Sequence, residues 1–205
     1  MKIVITGLTG SGKSTLGKKL AKELGLKYVS GGDLLKQIIA GEKAGYAGWW
    51  ETEEGEKAMN KRKEREEYDR EVDRRLLEIM EKEENVLVDS WTASYLYKKR
   101  DAVKIYLKAD IEERAKRVSR RDGISVEEAK EAIEKKDRSS IELYDRLYGF
   151  RLDEDLTPFN LVLDTTKLDE DDAFKLVLMY VKRWFCEERG TCENDRSYSI
   201  KTPSH

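Results

Sequence analysis

Histidine, cysteine and proline are almost missing: the chain of 205 residues holds one, two and two of them, respectively. The single histidine, His205, is the last residue given, so no imidazole acid or base is expected in a core. Cys186 and Cys192 lack the four-ligand set that a structural zinc needs, and free, reduced thiols are the expectation. A disulfide there fits only a hyperthermophilic source. No apolar run is long enough to cross a bilayer. The run Ile3-Val4-Ile5 passes straight into a glycine-rich turn, unlike a secretory leader, so a cytoplasmic protein with no membrane partner is expected. Net charge is scarce too: 40% of the residues are charged, yet the sum is only -2, so no basic nucleic-acid footprint is expected.

What remains is rich in Lys, Arg and Glu. With so few prolines, this composition points to long, charge-laced helices of the kind that thermophilic proteins favour. The length suits one α/β domain over residues 1–186, followed by a loose polar tail over 187–205.

The most informative stretch is Gly7-Leu8-Thr9-Gly10-Ser11-Gly12-Lys13-Ser14-Thr15. It follows the apolar run Ile3-Val4-Ile5, precedes the helical spacing Leu16, Leu20, Leu24, and fits the phosphate-loop pattern G-x-x-x-x-G-K-[ST]. Its glycines allow the backbone N–H groups to point inward, and the helix that follows adds its positive end, so a polyphosphate finds an anion nest. Gly7, Thr9, Gly10, Ser11, Gly12, Lys13, Ser14 and Thr15 are therefore the expected triphosphate ligands. Lys13 reaches the terminal phosphates and Ser14 holds magnesium. The bland alternative is a turn that binds nothing.

Strands and helices alternate along the rest of the chain, which predicts a five-stranded parallel sheet flanked by helices in a three-layer P-loop fold. Lys27-Tyr28-Val29 is a short strand before a helix running to about Ala40. The aromatic stretch around Tyr46, Trp49 and Trp50 is either a stacking lid or a hydrophobic plug. A long charged helix is expected from Glu56 to about Glu84, with Tyr68, Val72, Leu76, Ile79 and Met80 facing the core. Val86-Leu87-Val88 ends at Asp89, where ligands gather in such sheets. Asp89 is thus a candidate for orienting magnesium water and helping accept a proton, or else a plain helix cap. Val103 to Leu107 is a strand, and Asp110 is expected to cap a helix bearing Arg114, Arg117, Arg120 and Arg121. Ser125 opens another helix to about Arg138 through a capping box. These two helices suit a lid over phosphate, or form an ordinary surface hairpin. The last strand ends at Asp164-Thr165-Thr166, and Asp169 opens the final amphipathic helix.

The phosphate loop, the run Val29 to Asp33, Asp69-Arg70-Glu71-Val72-Asp73-Arg74-Arg75, Val103 to Leu107 with Arg114 and Arg117, Gly123 to Ala129, Tyr144 with Leu147-Tyr148-Gly149, and Asp164-Thr165-Thr166 together resemble the nucleoside monophosphate kinases. Among them the chain is most similar to the archaeal-type cytidylate kinases. The resemblance implies ATP and magnesium as cofactors, phosphoryl transfer to a small nucleotide such as CMP or dCMP, and a monomer or weak homodimer. By this resemblance Lys13, Arg117, Arg121 and Arg138 neutralise the moving phosphoryl, with Asp89 assisting. Ser14 and Asp89 serve the metal. Asp33 and Asp69 frame the acceptor, with Lys36 and Trp91 as this chain's own further acceptor-side candidates, while Asp164 and Thr165 lie near the adenine. Residues 30–84 correspond to the acceptor-binding region and 114–150 to the lid.

The sequence also departs from that family. Where the family writes arginines, this chain has Lys36, Trp91 and Leu143, and the long helix has Leu76 in place of glutamine. Lysine offers only a point charge where arginine offers a fork, and tryptophan offers no cation at all. Either other arginines such as Arg62, Arg65 or Arg74 hold an acceptor phosphate, or the pocket takes a different alcohol. A nucleotide-binding module without catalysis is the third alternative.

Overall fold

Ile3, Val4 and Ile5 are all 0% exposed in β1 (Lys2–Thr6), a strand buried on both faces. The computed structural model that shows this describes residues 1–41, 53, 55, 57, 60, 62 and 65–189. The other elements, in chain order, are α1 (Lys13–Leu24), β2 (Lys27–Ser30), α2 (Gly31–Ala40), α3 (Glu67–Lys82), β3 (Val86–Asp89), α4 (Ala93–Leu96) and β4 (Ala102–Lys108). They are followed by α5 (Ile111–Asp122), α6 (Val126–Tyr148), β5 (Leu161–Asp164) and α7 (Glu170–Arg189).

The five strands pair in the order β2-β3-β1-β4-β5, and every pairing is parallel. Side chains alternate between the sheet faces. Ile3 and Ile5 thus pack with Leu16 and Leu20 of α1 and Val177 and Val181 of α7, whereas Val4 packs with Leu35, Val72, Leu76 and Met80 from α2 and α3. The result is the expected three-layer arrangement. β1 has β3 on one side and β4 on the other, and the chain crosses from one half of the sheet to the other there. The crevice beyond the carboxyl ends of β1 and β3 is consequently where a ligand fits such a sheet.

α5 and α6 form a hairpin with a small core of their own, made by Ala115, Val118, Ala129 and Ile133. Ser125 and Glu128 form the expected capping box at the start of α6.

Several expectations need correction. The charged helix does not run unbroken from Glu56 to Glu84: residues 65 and 66 are not helical, and α3 begins at Glu67. The break sits between Arg62 and Asp69, whose side chains close on one another as a buried ion pair. α6 continues past Arg138 to Tyr148, because its buried stripe is built partly from Asp137 and Ser140 and does not read as apolar. Asp110 stands at the N-cap of α5, but its side chain makes no capping bond; its backbone N–H donates to Thr166 Oγ1 at 3.0 Å, tying this turn to the end of β5. α7 extends to Arg189, beyond Cys186. Cys186 is disulfide-bonded and not free. Composition does not decide this, because a thiol's state depends on compartment and on a partner within bonding distance. Tyr46, Trp49, Trp50 and residues 190–205, which include Cys192 and His205, lie outside the described residues.

Candidate active site

The glycine-rich loop leaves β1 and turns sharply into α1, and glycine is required there for steric reasons. A Cβ on Gly7 would stand 2.2 Å from the Leu107 carbonyl oxygen, and one on Gly10 would stand 2.9 Å from that of Arg114. The loop therefore lies directly against β4 and α5. Within it, Thr9 Oγ1 and Ser11 Oγ are buried with no hydrogen-bond partner. Two orphaned hydroxyls in a concave main-chain nest fit a polyoxyanion that would supply the missing acceptors.

Lys13 is the first residue of α1. Its Nζ donates to the Leu8 carbonyl at 2.9 Å and lies 5.8 Å from the centre of the Trp91 ring. Burial holds the ammonium below the usual lysine range; the Asp89 and Asp137 carboxylates oppose this shift, and the Arg114 and Arg121 charges add to it. At the next residue, the Ser14 hydroxyl donates to Asp89 Oδ2 at 2.6 Å, and the Tyr28 hydroxyl donates to the same oxygen at 3.0 Å. Asp89 reaches this position because β3 pairs with β1 in a register that sets Asp89 opposite Ile5. It does not cap α4, whose N-cap is Thr92.

Among the described residues no group of three or more His, Cys, Asp or Glu side chains could enclose a metal. A serine hydroxyl beside one carboxylate still suits magnesium, which retains waters and takes phosphate oxygens as ligands. Ser14 would hold the ion, and Asp89 would orient its shell.

Arg117 faces the loop from α5. It donates to the Thr165 carbonyl at 2.6 Å and to Thr165 Oγ1 at 3.0 Å, and a methyl group placed on Gly12 would be 4.0 Å from its Nη1. Thr165 is thereby a brace for Arg117. Asp164 is exposed and accepts from the backbone and hydroxyl of Thr166. Arg121 pairs with Asp122 at 2.5 Å on the exposed end of α5. Arg138 lines a cleft of about 530 Å³ along α6 and a second of about 430 Å³ that reaches Leu8 and Arg114 beside the loop.

On the acceptor side, α2 starts directly beside Asp89: a Cβ on Gly31 would be 3.4 Å from the Asp89 carbonyl oxygen. Asp33 and Lys36 on that helix pair with each other at 3.4 Å, with Asp33 largely exposed. Trp91 is half-buried between Lys13 and Tyr144, whose ring centre is 6.4 Å away. Asp69 is different. Its carboxylate is buried, takes Nε and Nη2 of Arg62, and accepts from the Tyr144 hydroxyl at 2.9 Å. The structure thus makes Asp69 a brace between α3 and α6 and does not present it as an open acceptor ligand. Arg62 is committed to this buried pair, and Arg74 to Glu71 and Glu78 on the surface.

Some residues close to this centre are not legible as such in the sequence. Tyr28 binds Asp89 from β2. Asp73 accepts from Thr92 and, at 2.6 Å, from Tyr148, joining α3 to the turn after β3 and to α6. Asp137 accepts from the Thr9 backbone N–H at 3.1 Å. The one available signal was the short charged run around Arg138, in which Asp137 is the acid.

The sequence profile of the cytidylate kinase-like family matches residues 2–167. A cytidylate kinase of Sulfurisphaera tokodaii is 35% identical over 88% of this chain and 95% of its own length. One from Pyrococcus horikoshii is 39% identical over 85% of each chain. Among solved structures, a gluconokinase of Sinorhizobium meliloti aligns at TM-score 0.58, with 18% identity over 94% of this chain and 97% of its own. A shikimate kinase of Acinetobacter baumannii aligns at 0.53, with 18% identity over 89% and 93%. These two share the fold. With the loop, the Ser14–Asp89 pair and the braced Arg117 in place, the match along the sequence leads to one conclusion: the chain belongs to the cytidylate kinase-like family, and with it to the nucleoside monophosphate kinases.

Proposed function

We propose that this protein transfers the γ-phosphoryl group of ATP to a nucleoside monophosphate, with CMP or dCMP as the leading acceptor. The observation that carries the reading is the Ser14–Asp89 contact of 2.6 Å at the mouth of a loop with orphaned buried hydroxyls. The relatives named cytidylate kinase support the acceptor class. Bound magnesium would supply charge neutralisation across the phosphates, held by Ser14 with Asp89 behind it.

The chain's own residues do the rest. Loop amides from Gly7 to Thr15 seat the phosphates. Lys13 gives up the Leu8 carbonyl for phosphate oxygens, and Arg117 approaches from the Thr165 side. Arg121 and Arg138 belong to the segment 114–150, which acts as a lid and excludes water from the transfer. Asp164 and Thr165 border the adenine end. Residues 30–84 form the acceptor region, where Asp33, Lys36 and Trp91 meet the acceptor. Asp69 contributes by holding Arg62 and Tyr144 in position. Asp89 orients the magnesium shell; a monophosphate attacks through an oxygen that is already ionised near neutral pH, and Asp89 would take up a proton only from a hydroxyl acceptor. The small nucleotides are the only partners required, and the working unit is a monomer or weak homodimer. No described helix is long and apolar enough to cross a membrane.

A second reading, transfer to an unphosphorylated hydroxyl, is favoured by one observation. Arg62 and Arg74 are both engaged by carboxylates, and neither stands in for the arginines replaced by Lys36, Trp91 and Leu143. A coupled assay across CMP, dCMP, UMP, AMP, cytidine and no acceptor decides between them. Turnover with a monophosphate supports the proposal. Turnover only with cytidine or another free alcohol overturns it, and ATP binding without transfer leaves the nucleotide-binding module.

A further inference from the structure

The third residue of the phosphate loop is held at both its backbone N–H and its carbonyl by the α5–α6 hairpin. Thr9 N–H donates to Asp137 Oδ1 at 3.1 Å, and the Thr9 carbonyl accepts from Arg114 Nη1 at 2.9 Å. The same Nη1 donates to Asp137 Oδ2 at 2.5 Å, which closes the triangle. Both charged side chains are nearly out of water, at 10% exposure for Arg114 and 8% for Asp137. A buried ion pair loses much of its attraction to desolvation and is a poor device for stability alone. This one lies beside the small apolar cluster of the hairpin and touches the loop directly. Gly10 makes the approach possible, since any side chain there would collide with Arg114. Asp137 is also close enough to Lys13 to favour its charged form.

We propose that Asp137 is a positioning residue for nucleotide binding: through Thr9 and Arg114 it couples the seating of α6 to the curl of the phosphate loop. The inference rests on the ATP reading above and deepens it. With Asp137 in place, the Thr9 peptide keeps a fixed orientation and Arg114 is held at the rim of the loop. Without it, the Thr9 N–H loses its acceptor and Arg114 its carboxylate, so the loop is held less firmly in the curl that matches a polyphosphate. Small misplacements of such groups are costly because the site works by pre-set geometry.

The test compares wild type, Asp137→Ala and Asp137→Asn as full chains, using calorimetric titration with ATP, thermal unfolding, and KM for ATP and for the acceptor separately. Asp137→Ala is expected to weaken ATP binding about tenfold and raise the KM for ATP, with the acceptor KM unchanged. Asp137→Asn, which still accepts from Thr9 N–H but does not pair with Arg114 as an ion, is expected to lose about threefold. ATP binding equal to or tighter than wild type in Asp137→Ala overturns the inference, the tighter case showing that the carboxylate blocks the loop. A rise in both KM values together with loss of thermal stability overturns it as well, since that marks a merely structural role. If the alanine variant does not fold, the asparagine variant decides: no loss of ATP affinity rejects the coupling. Wild type that binds no ATP removes the functional reading and this inference together, whereas wild-type binding with an unaffected variant removes the inference alone.

Discussion

Ser14 Oγ and Asp89 Oδ2 lie 2.6 Å apart although the residues are separated by 75 positions in the chain. The β1–β3 pairing makes this contact, and under the proposed function it would give magnesium a hydroxyl ligand backed by a carboxylate. Asp89→Asn keeps the shape and removes the charge, so the magnesium concentration for half-maximal activity should rise about 10–100-fold. An unchanged magnesium titration would show that Asp89 does not serve the ion.

Lys13 is buried against the loop it must serve, which makes its charge count for more than it would in water. Lys13→Ala should lower kcat by a factor equivalent to about 3 kcal/mol or more. Steady-state kinetics at saturating ATP measures this, and a normal kcat would remove the loop from the chemistry.

Arg62 and Asp69 form a bidentate pair with side-chain exposures of 7% and 2%. Arg62→Ala leaves the Asp69 carboxylate buried with only the Tyr144 hydroxyl, and should cost about 3–5 kcal/mol of stability. The double variant Arg62→Met with Asp69→Leu, which removes both charges, should recover most of that loss in denaturant unfolding. Equal losses in the two variants would mean that packing, and not charge, sets the cost.

Asp73 is buried, and burial pushes its carboxyl up to about 6, against the pull of the Thr92 and Tyr148 hydroxyls. The unfolded chain ionises near the ordinary value of 3.8, so between these two pH values the folded state holds the extra proton. Stability from this group therefore falls as pH rises through that window, by at most about 3 kcal/mol, and is level above it. Asp73→Asn has no such dependence. Between pH 4 and pH 7.5 the melting temperature of wild type should drop relative to that of the variant by about 5 °C. A constant difference would place the Asp73 pKa near its ordinary value.

Trp91 stands half-buried between Lys13 and Tyr144, at a position where the family resemblance leads one to expect arginine. If the acceptor is a monophosphate, Trp91→Arg should raise kcat/KM for CMP about tenfold by adding a guanidinium fork. No gain with CMP, together with loss on a free alcohol, would favour the second reading.

The sheet was readable in outline because fully buried parallel strands write themselves as short apolar runs, as Ile3-Val4-Ile5 and Val86-Leu87-Val88 do. The loop was readable because its glycines answer local steric demands, seen at Gly7 and Gly10. The end of α6 was not, since its inward face includes Asp137, Ser140 and Tyr144, and polar residues hide a helical stripe. The break before α3 was hidden for a related reason: Arg62 and Asp69 look like surface charges until they are seen to close on each other.

The sequence by itself determined that a polyphosphate cradle sits between a strand and a helix, because backbone curl and the first turn of a helix depend on neighbours a few residues away. Only the tertiary structure decided which distant side chains stand beside it. Asp89 arrives by strand register, Arg117 by its brace on Thr165, and Asp137 by the packing of two helices against Gly10. Burial then decided what those charges do: the same aspartate that is a solvated ornament on a helix face becomes, at Asp69 or Asp137, a group that must find a cation or an amide.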